Sequence, residues 1–182
     1  MTNNPDWKNI KRILILGCSG TGKSTLAKQI GKKFDLEVIH LDKFFHKPNW
    51  EPRDIEEFRK IVKELILKDK WVMDGNYTKT LAERIRRANF IIFFDYNSYL
   101  CTYRVIKRNI KTKLGLEIRT DMAEGCVESW LDWEFIKFVW NFKIAYIPLT
   151  YQILEESKFD KKKLIIIKSR SEGRKFIKNL EQ

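Results

Sequence analysis

Ile13-Leu14-Ile15-Leu16-Gly17-Cys18-Ser19-Gly20-Thr21-Gly22-Lys23-Ser24-Thr25 is the stretch that decides the fold. An apolar run of strand type leads into a loop with glycine at positions 17, 20 and 22, and the loop leads into a segment with helical spacing. Glycine lets successive backbone N–H groups turn inward, so the loop can form a cradle for a polyphosphate. A helix opening near Lys23 adds its first-turn N–H groups and the positive end of its dipole at the same place. Lys23 carries an ammonium toward the outer phosphates, and Ser24 offers a hydroxyl to Mg²⁺. The motif predicts that Gly17, Ser19, Gly20, Thr21, Gly22, Lys23, Ser24 and Thr25 bind a nucleoside triphosphate, here ATP, with Mg²⁺.

Outward from this loop, strands and helices alternate. Strands are predicted over 11–16, 37–41, 71–73, 90–94 and 164–167, each a short apolar run. Helical spacing covers 23–34, 55–65 and 98–113, and Thr78 is read as the cap of a helix reaching about 87. A long aromatic helix is predicted from about 128 to 146, broken at Pro148 and resuming to about 156. Residues 114–127, around Gly115 and Gly125, lose periodicity and read as a flap, and a last helix starts near 171. This alternation implies an α/β fold with a parallel sheet covered on both faces. Ligands in such sheets bind beyond the carboxyl ends of the strands. Asp42, Asp74, Asp95 and Lys168-Ser169-Arg170 fall at such ends, so they are expected to converge with the loop on one crevice.

Composition narrows the class. The chain has 182 residues, 43% hydrophobic and 33% charged, which fits one globular domain spanning 1–182. No apolar run approaches a membrane span and the N-terminus has no apolar signal core, so a cytoplasmic protein without membrane contact is expected. Cys18, Cys101 and Cys126 lack disulfide or zinc spacing. Cys18 reads as a small filler of the loop, with a helix N-terminus as the one feature that would acidify its thiol. The formal charge of +12 permits duplex DNA, but the lysines are dispersed over helical segments, and DNA ranks behind a small-molecule or nucleotide acceptor as partner.

Phosphoryl transfer requires positioning and charge neutralisation, so carboxylates for Mg²⁺ and several arginines should surround the phosphates. Asp74 and Asp95 each close a strand and either can orient the metal's shell; the five apolar residues before Asp95 favour it by local pattern. Asp42 can accept a proton from a substrate hydroxyl. Arg104 and Arg108, four apart on one helix face, can clamp phosphate oxygens together, and Arg119 in the flap can swing onto the transferring group. The aromatic helix carrying Trp130, Trp133, Phe135, Phe138, Trp140 and Phe142 reads as a packing or subunit-facing element, which leaves a homodimer open. His40 and His46 offer no ligand pattern.

The order of phosphate loop, Asp42, Asp74-Gly75, Asp95, Arg104-x-x-x-Arg108, flap and Lys168-Ser169-Arg170 resembles the nucleoside monophosphate kinase and shikimate kinase group of P-loop proteins. Within that group, His40-Leu41-Asp42, Lys47-Pro48-Asn49-Trp50, Asp74-Gly75-Asn76-Tyr77, Arg119-Thr120-Asp121-Met122 and Leu131-Asp132-Trp133-Glu134-Phe135 are similar to the bacterial adenylate-kinase-like family labelled topology modulation protein, FlaR type. The likeness covers nearly the whole chain from Lys11 onward. It implies a three-layer P-loop NTPase fold with a five-stranded parallel sheet in order 2-3-1-4-5, a substrate-binding helical insert near 43–68 and a lid near 109–127. It implies ATP:acceptor phosphotransfer, with Asp74 instead of Asp95 organising Mg²⁺, Arg104 and Arg108 at the lid base and Arg170 beside adenine. One departure stands out. Asn76-Tyr77 follows Asp74-Gly75 where adenylate kinases have Phe-Pro-Arg, so the arginine that would hold an acceptor phosphate is missing.

Overall fold

The computed structural model describes residue 7 and residues 10–116, 120–123, 125–126 and 132–181. Its centre is β1 (Arg12–Gly17), whose apolar residues Ile13 to Leu16 are all fully enclosed. Such burial stabilises by about 1.5–3 kcal/mol per side chain, and it demands cover on both faces of the strand. The neighbours of β1 are β3 (Trp71–Asp74), apolar up to its terminal Asp74, and β4 (Phe90–Phe94), both equally buried, with β2 (Glu37–His40) outside β3 and β5 (Leu164–Ile167) outside β4. All pairings are parallel, giving the order β2-β3-β1-β4-β5 that the resemblance implies.

Helices lie on both sides of this sheet. They are α1 (Lys23–Phe34), a short α2 (Leu41–Phe45), α3 (Ile55–Leu67), α4 (Thr78–Arg87), α5 (Ser98–Lys113), α6 (Trp133–Glu156) and α7 (Arg170–Glu181). The chain leaves β1 for β2 on one side of it, returns to β3, and then crosses to β4 on the other side. A crevice therefore opens above the carboxyl end of β1, and the register sets Asp74 there beside Ile15 and His40. Among the described residues no helix is long and apolar enough to cross a membrane, and all three cysteines are free.

Three local expectations are corrected. The second strand stops at His40, and Leu41 with Asp42 opens α2, so Asp42 stands on a helical turn beyond the strand. Thr78 is the first residue of α4; the cap position belongs to Tyr77, which makes no side-chain capping bond and has φ +25°. Most clearly, α6 runs unbroken through Pro148. Val139 and Phe142 before the proline, and Ile147, Thr150 and Leu154 around and after it, are buried on one face, while Pro148 itself is exposed. Packing on both sides of the proline holds the two halves in one helix despite the N–H that proline lacks. The predicted start of that helix at 128 lies outside the described residues; its first described turn is capped by Asp132, which accepts from the N–H groups of Glu134 and Phe135.

Candidate active site

The phosphate loop has the backbone its glycines require. Gly17, Gly20 and Gly22 have φ of +133°, +82° and +101°. A Cβ on Gly17 would lie 2.6 Å from the Phe94 carbonyl oxygen, and one on Gly20 2.8 Å from that of Cys101, so neither turn admits a side chain. Gly22 is the cap residue of α1, with no side-chain capping bond and no acid in the first turn. Asp54, Asn97 and Asp132 cap α3, α5 and α6 with their side chains, whereas α1, like the short α2 and α4, has no side-chain cap. The first-turn N–H groups of α1 are thus left without a side-chain acceptor at the positive end of the helix dipole.

Several side chains fix this loop. Asn76 bonds Gly17 twice, its Oδ1 accepting from the Gly17 N–H at 3.1 Å and its Nδ2 donating to the Gly17 carbonyl at 2.9 Å. The Thr21 hydroxyl donates to the Cys18 carbonyl at 2.8 Å, and Lys23 Nζ folds over the loop to the same oxygen at 2.9 Å. Arg104 reaches in from α5 and donates to the Thr21 carbonyl at 3.2 Å. The Cys18 thiol is buried, and its hydrogen bond to Cys101 together with burial raises its pKa, which rules against an acidified thiol in the loop.

Across the crevice, the carboxylates have partners the sequence did not disclose. Asp74 is buried and its Oδ1 lies 2.7 Å from His40 Nδ1, a contact that follows from the parallel register pairing these two residues. Tyr77 donates its hydroxyl to Asp42 Oδ1 at 2.6 Å. Burial first, then the Asp42 charge, push the phenol pKa of Tyr77 up, so it remains a donor. Beneath it the Arg84 guanidinium, fully buried, donates to the carbonyls of Gly75 at 2.7 Å, Asn76 at 2.5 Å and Tyr77 at 3.0 Å. Burial lowers its pKa to about 9, which leaves it charged at neutral pH. Arg84 thereby pins the turn that carries Asn76 and Tyr77, including the positive φ of Tyr77.

Many of these groups line one crevice of about 1150 Å³, with Cys18, His40 and Arg84 behind its lining. It gathers Ser19, Gly20, Gly22, Lys23, Ser24 and Thr25 of the loop and α1, Asp42 and Asp74, and Arg104 and Arg108 of α5. Gly17 and Thr21 underlie it through the bonds described above. Asp95 is not among the lining residues and pairs with Lys143 of α6 at 3.1 Å. Arg170 is exposed at the start of α7 and does not line the crevice either. Arg119 lies outside the described residues, as does Trp130. From the predicted flap, Thr120 accepts a bond from Lys28 of α1, and the Gly125 carbonyl accepts from the Asn49 N–H at 3.3 Å. The described parts of that segment thus touch both sides of the opening. The aromatic helix, read from sequence as packing, has a mixed role: Val139 and Phe142 are core, Trp133 and Trp140 are exposed, and Phe135 and Phe138 form a wall of the crevice.

His40, Asn76, Tyr77 and Arg84 are the site residues that sequence reasoning missed. The Asp-Gly-Asn-Tyr run was visible, but pairings of Asn76 with Gly17 and of His40 with Asp74 depend on strand neighbours 59 and 34 positions apart.

No protein-family model and no curated protein matches the chain. Among solved structures it is similar to a shikimate kinase from Acinetobacter baumannii in complex with shikimate, with TM-score 0.58 and 14% identity over 97% of this chain and 93% of that one. It is also similar to a shikimate kinase from Bacteroides thetaiotaomicron, with TM-score 0.51 and 18% identity over 94% of this chain and 96% of that one. With the sheet order and the loop, these likenesses define the fold: this chain is a P-loop NTPase fold.

Proposed function

We propose that the protein is a phosphotransferase that moves the γ-phosphoryl group of ATP, with Mg²⁺, to a hydroxyl on a small molecule or nucleotide. The observation that carries this reading is the uncapped, acid-free start of α1 inside a glycine loop, facing Asp42 and Asp74 across a single crevice. The loop fits a polyphosphate because its turns exclude any Cβ and its helix lacks the capping carboxylate that would compete with an anion. Lys23 neutralises the outer phosphates, while Arg104 and Arg108 approach from α5 and offset charge on the transferring group. Arg119 is assigned to that last role by sequence alone, and Arg170 to adenine.

Ser24 and Asp74 would be the protein donors for Mg²⁺. That ion takes most of its ligands from phosphate oxygens and water and needs only one or two from protein, so the pair suffices. Held there, the ion would supply charge neutralisation for the phosphates. His40 holds the Asp74 carboxylate in orientation, and Asp42, steadied by Tyr77, accepts the proton of the acceptor hydroxyl. The insert near 43–68 then carries the acceptor and the segment near 109–127 covers it, within one domain. The short stretches shared with topology modulation proteins of the FlaR type support placing the chain beside that family, where the same crevice would hold the nucleotide.

Two variants separate binding from transfer. Lys23→Ala is expected to abolish ATP binding measured by calorimetry. Asp42→Asn is expected to keep ATP affinity and to lower transfer about 10²–10⁴-fold, measured as ADP release against a panel of hydroxylated acceptors. ATP turnover at one rate whatever the acceptor would sink the transferase reading in favour of a plain ATPase.

A further inference from the structure

Arg84 is the one lysine or arginine buried among the described residues. Its side chain leaves α4 and tilts back, as helical side chains do, to the carbonyls of Gly75, Asn76 and Tyr77 ahead of that helix. Two physical costs attend this placement. The guanidinium gives up its water, and it stands at the positive end of the α4 dipole, where an anion would be favoured. A polar capping side chain would close α4 without a buried charge, yet Tyr77 at the cap position makes no such bond. What the guanidinium supplies instead is a planar fork that holds three successive carbonyls at once. Thr80 also donates to the Tyr77 carbonyl, by its N–H at 3.0 Å and its hydroxyl at 3.1 Å, so Arg84 matters most at Gly75 and Asn76.

The turn so held faces two ways. Asn76 grips Gly17 of the phosphate loop through both halves of its amide. Tyr77, its ring centroid 4.8 Å from those of both Phe45 and Phe58, gives its hydroxyl to Asp42. Arg84 itself does not line the crevice and reaches neither the loop nor Asp42 directly. Resting on the phosphotransferase reading, we infer that Arg84 is a positioning residue for both halves of the reaction, setting the phosphate loop through Asn76 and Asp42 through Tyr77. One buried fork thereby keeps the phosphate cradle and the proton acceptor in register.

The test is a pair of double-mutant cycles on the full chain, built on Arg84→Lys, which keeps a basic head group and loses the fork. Calorimetry with a non-hydrolysable ATP analogue and Mg²⁺ reads the first side, and ADP release at saturating ATP over the panel of hydroxylated acceptors reads the second. Arg84→Lys is expected to weaken the analogue about tenfold and to lower kcat about tenfold, in line with the loss of one or two hydrogen bonds on each side. Added to Asn76→Ala it should change affinity by less than about twofold further, and added to Tyr77→Phe it should change kcat as little. A merely structural role would carry the same penalty into every background, so additivity in either cycle overturns the inference. Arg84→Gln takes the place of the lysine variant should that one fail to fold. Failure of both makes Arg84 a folding residue and overturns the inference as well. Turnover that ignores the acceptor removes the phosphotransferase reading alone, because the affinity cycle still judges the hold of Arg84 on the loop.

Discussion

Asn76 ties the phosphate loop to the end of β3 through both halves of one amide, so its loss frees the first turn of the cradle without touching the phosphates. Two net hydrogen bonds are worth about 1–2 kcal/mol. Asn76→Ala is therefore expected to lower stability by that amount in urea unfolding and to weaken ATP about tenfold by calorimetry; unchanged ATP affinity would show that the loop holds its shape alone. Tyr77 supplies a test in pH. Its phenol pKa is raised in the fold above the ordinary value of 10 by burial and Asp42, so above pH 10 the unfolded chain gives up a proton that the folded chain keeps. Stability present below pH 10 is lost as pH rises, at about 1.4 kcal/mol per pH unit for a whole proton. Tyr77→Phe should be less stable than the parent at pH 8, from the missing bond to Asp42, yet lose about 1 kcal/mol less between pH 10 and 11. Parallel losses in the two proteins, followed by urea midpoints at each pH, would remove Tyr77 as the titrating group. That Lys23, Ser24 and the glycines form one loop at the crevice could be read from sequence because their spacing is local. The contacts of Asn76, Tyr77, His40 and Arg84 could not, because each is created by a neighbour that only the sheet or the turn brings near.

The same division between local and distant causes governs the elements. Fully apolar runs such as Phe90 to Phe94 can only be interior strands, and all five strands were legible from them. Helix ends were less so: Leu41 continues the apolar run of β2, and only the turn toward α3 ends the strand at His40. Gly31 illustrates a constraint no helical pattern reveals, since a Cβ there would come within 2.3 Å of Val38 Cγ2, where α1 crosses β2. Proline is the sharpest case. Its local effect is to break a helix, and α6 overrides it because buried residues on both sides share one face. Thr150 adds a bond from its hydroxyl to the Tyr146 carbonyl at 2.8 Å, one turn back, a bond of the kind that bends helices. Since Pro148 is exposed and its backbone position is already helical, Pro148→Ala restores an N–H without disturbing the core. Stabilisation of about 1–3 kcal/mol is expected, within the helix-propensity difference between the two residues. A urea midpoint that stays put or falls would mean that the proline at this point is itself required for packing.

At the scale of the whole molecule, the formal charge of +12 is organised as well as large. Among the described residues six basic side chains of α1 and α5 line one crevice, where they repel one another, and the fold tolerates them beside a helix N-terminus that adds further positive potential. A ligand that binds only the folded chain and carries several negative charges must relieve this repulsion. ATP with Mg²⁺ at 100 times its Kd contributes about 2.7 kcal/mol of stability. For a chain of this length each kcal/mol moves Tm by about 2–4 °C, so a rise of about 5–10 °C is expected in a thermal melt. Lys23→Ala should flatten that rise, and raising salt from about 0.05 to 0.5 M should shrink it without removing it, because the crevice screens less than open surface. Duplex DNA held by the dispersed lysines would behave differently: its stabilisation would survive in Lys23→Ala and vanish at the higher salt, each neutralised phosphate adding about 0.9 log unit to the salt slope. A melt that rises with DNA in this second pattern, and stays level with ATP, would move the functional centre of the molecule from the crevice to its surface.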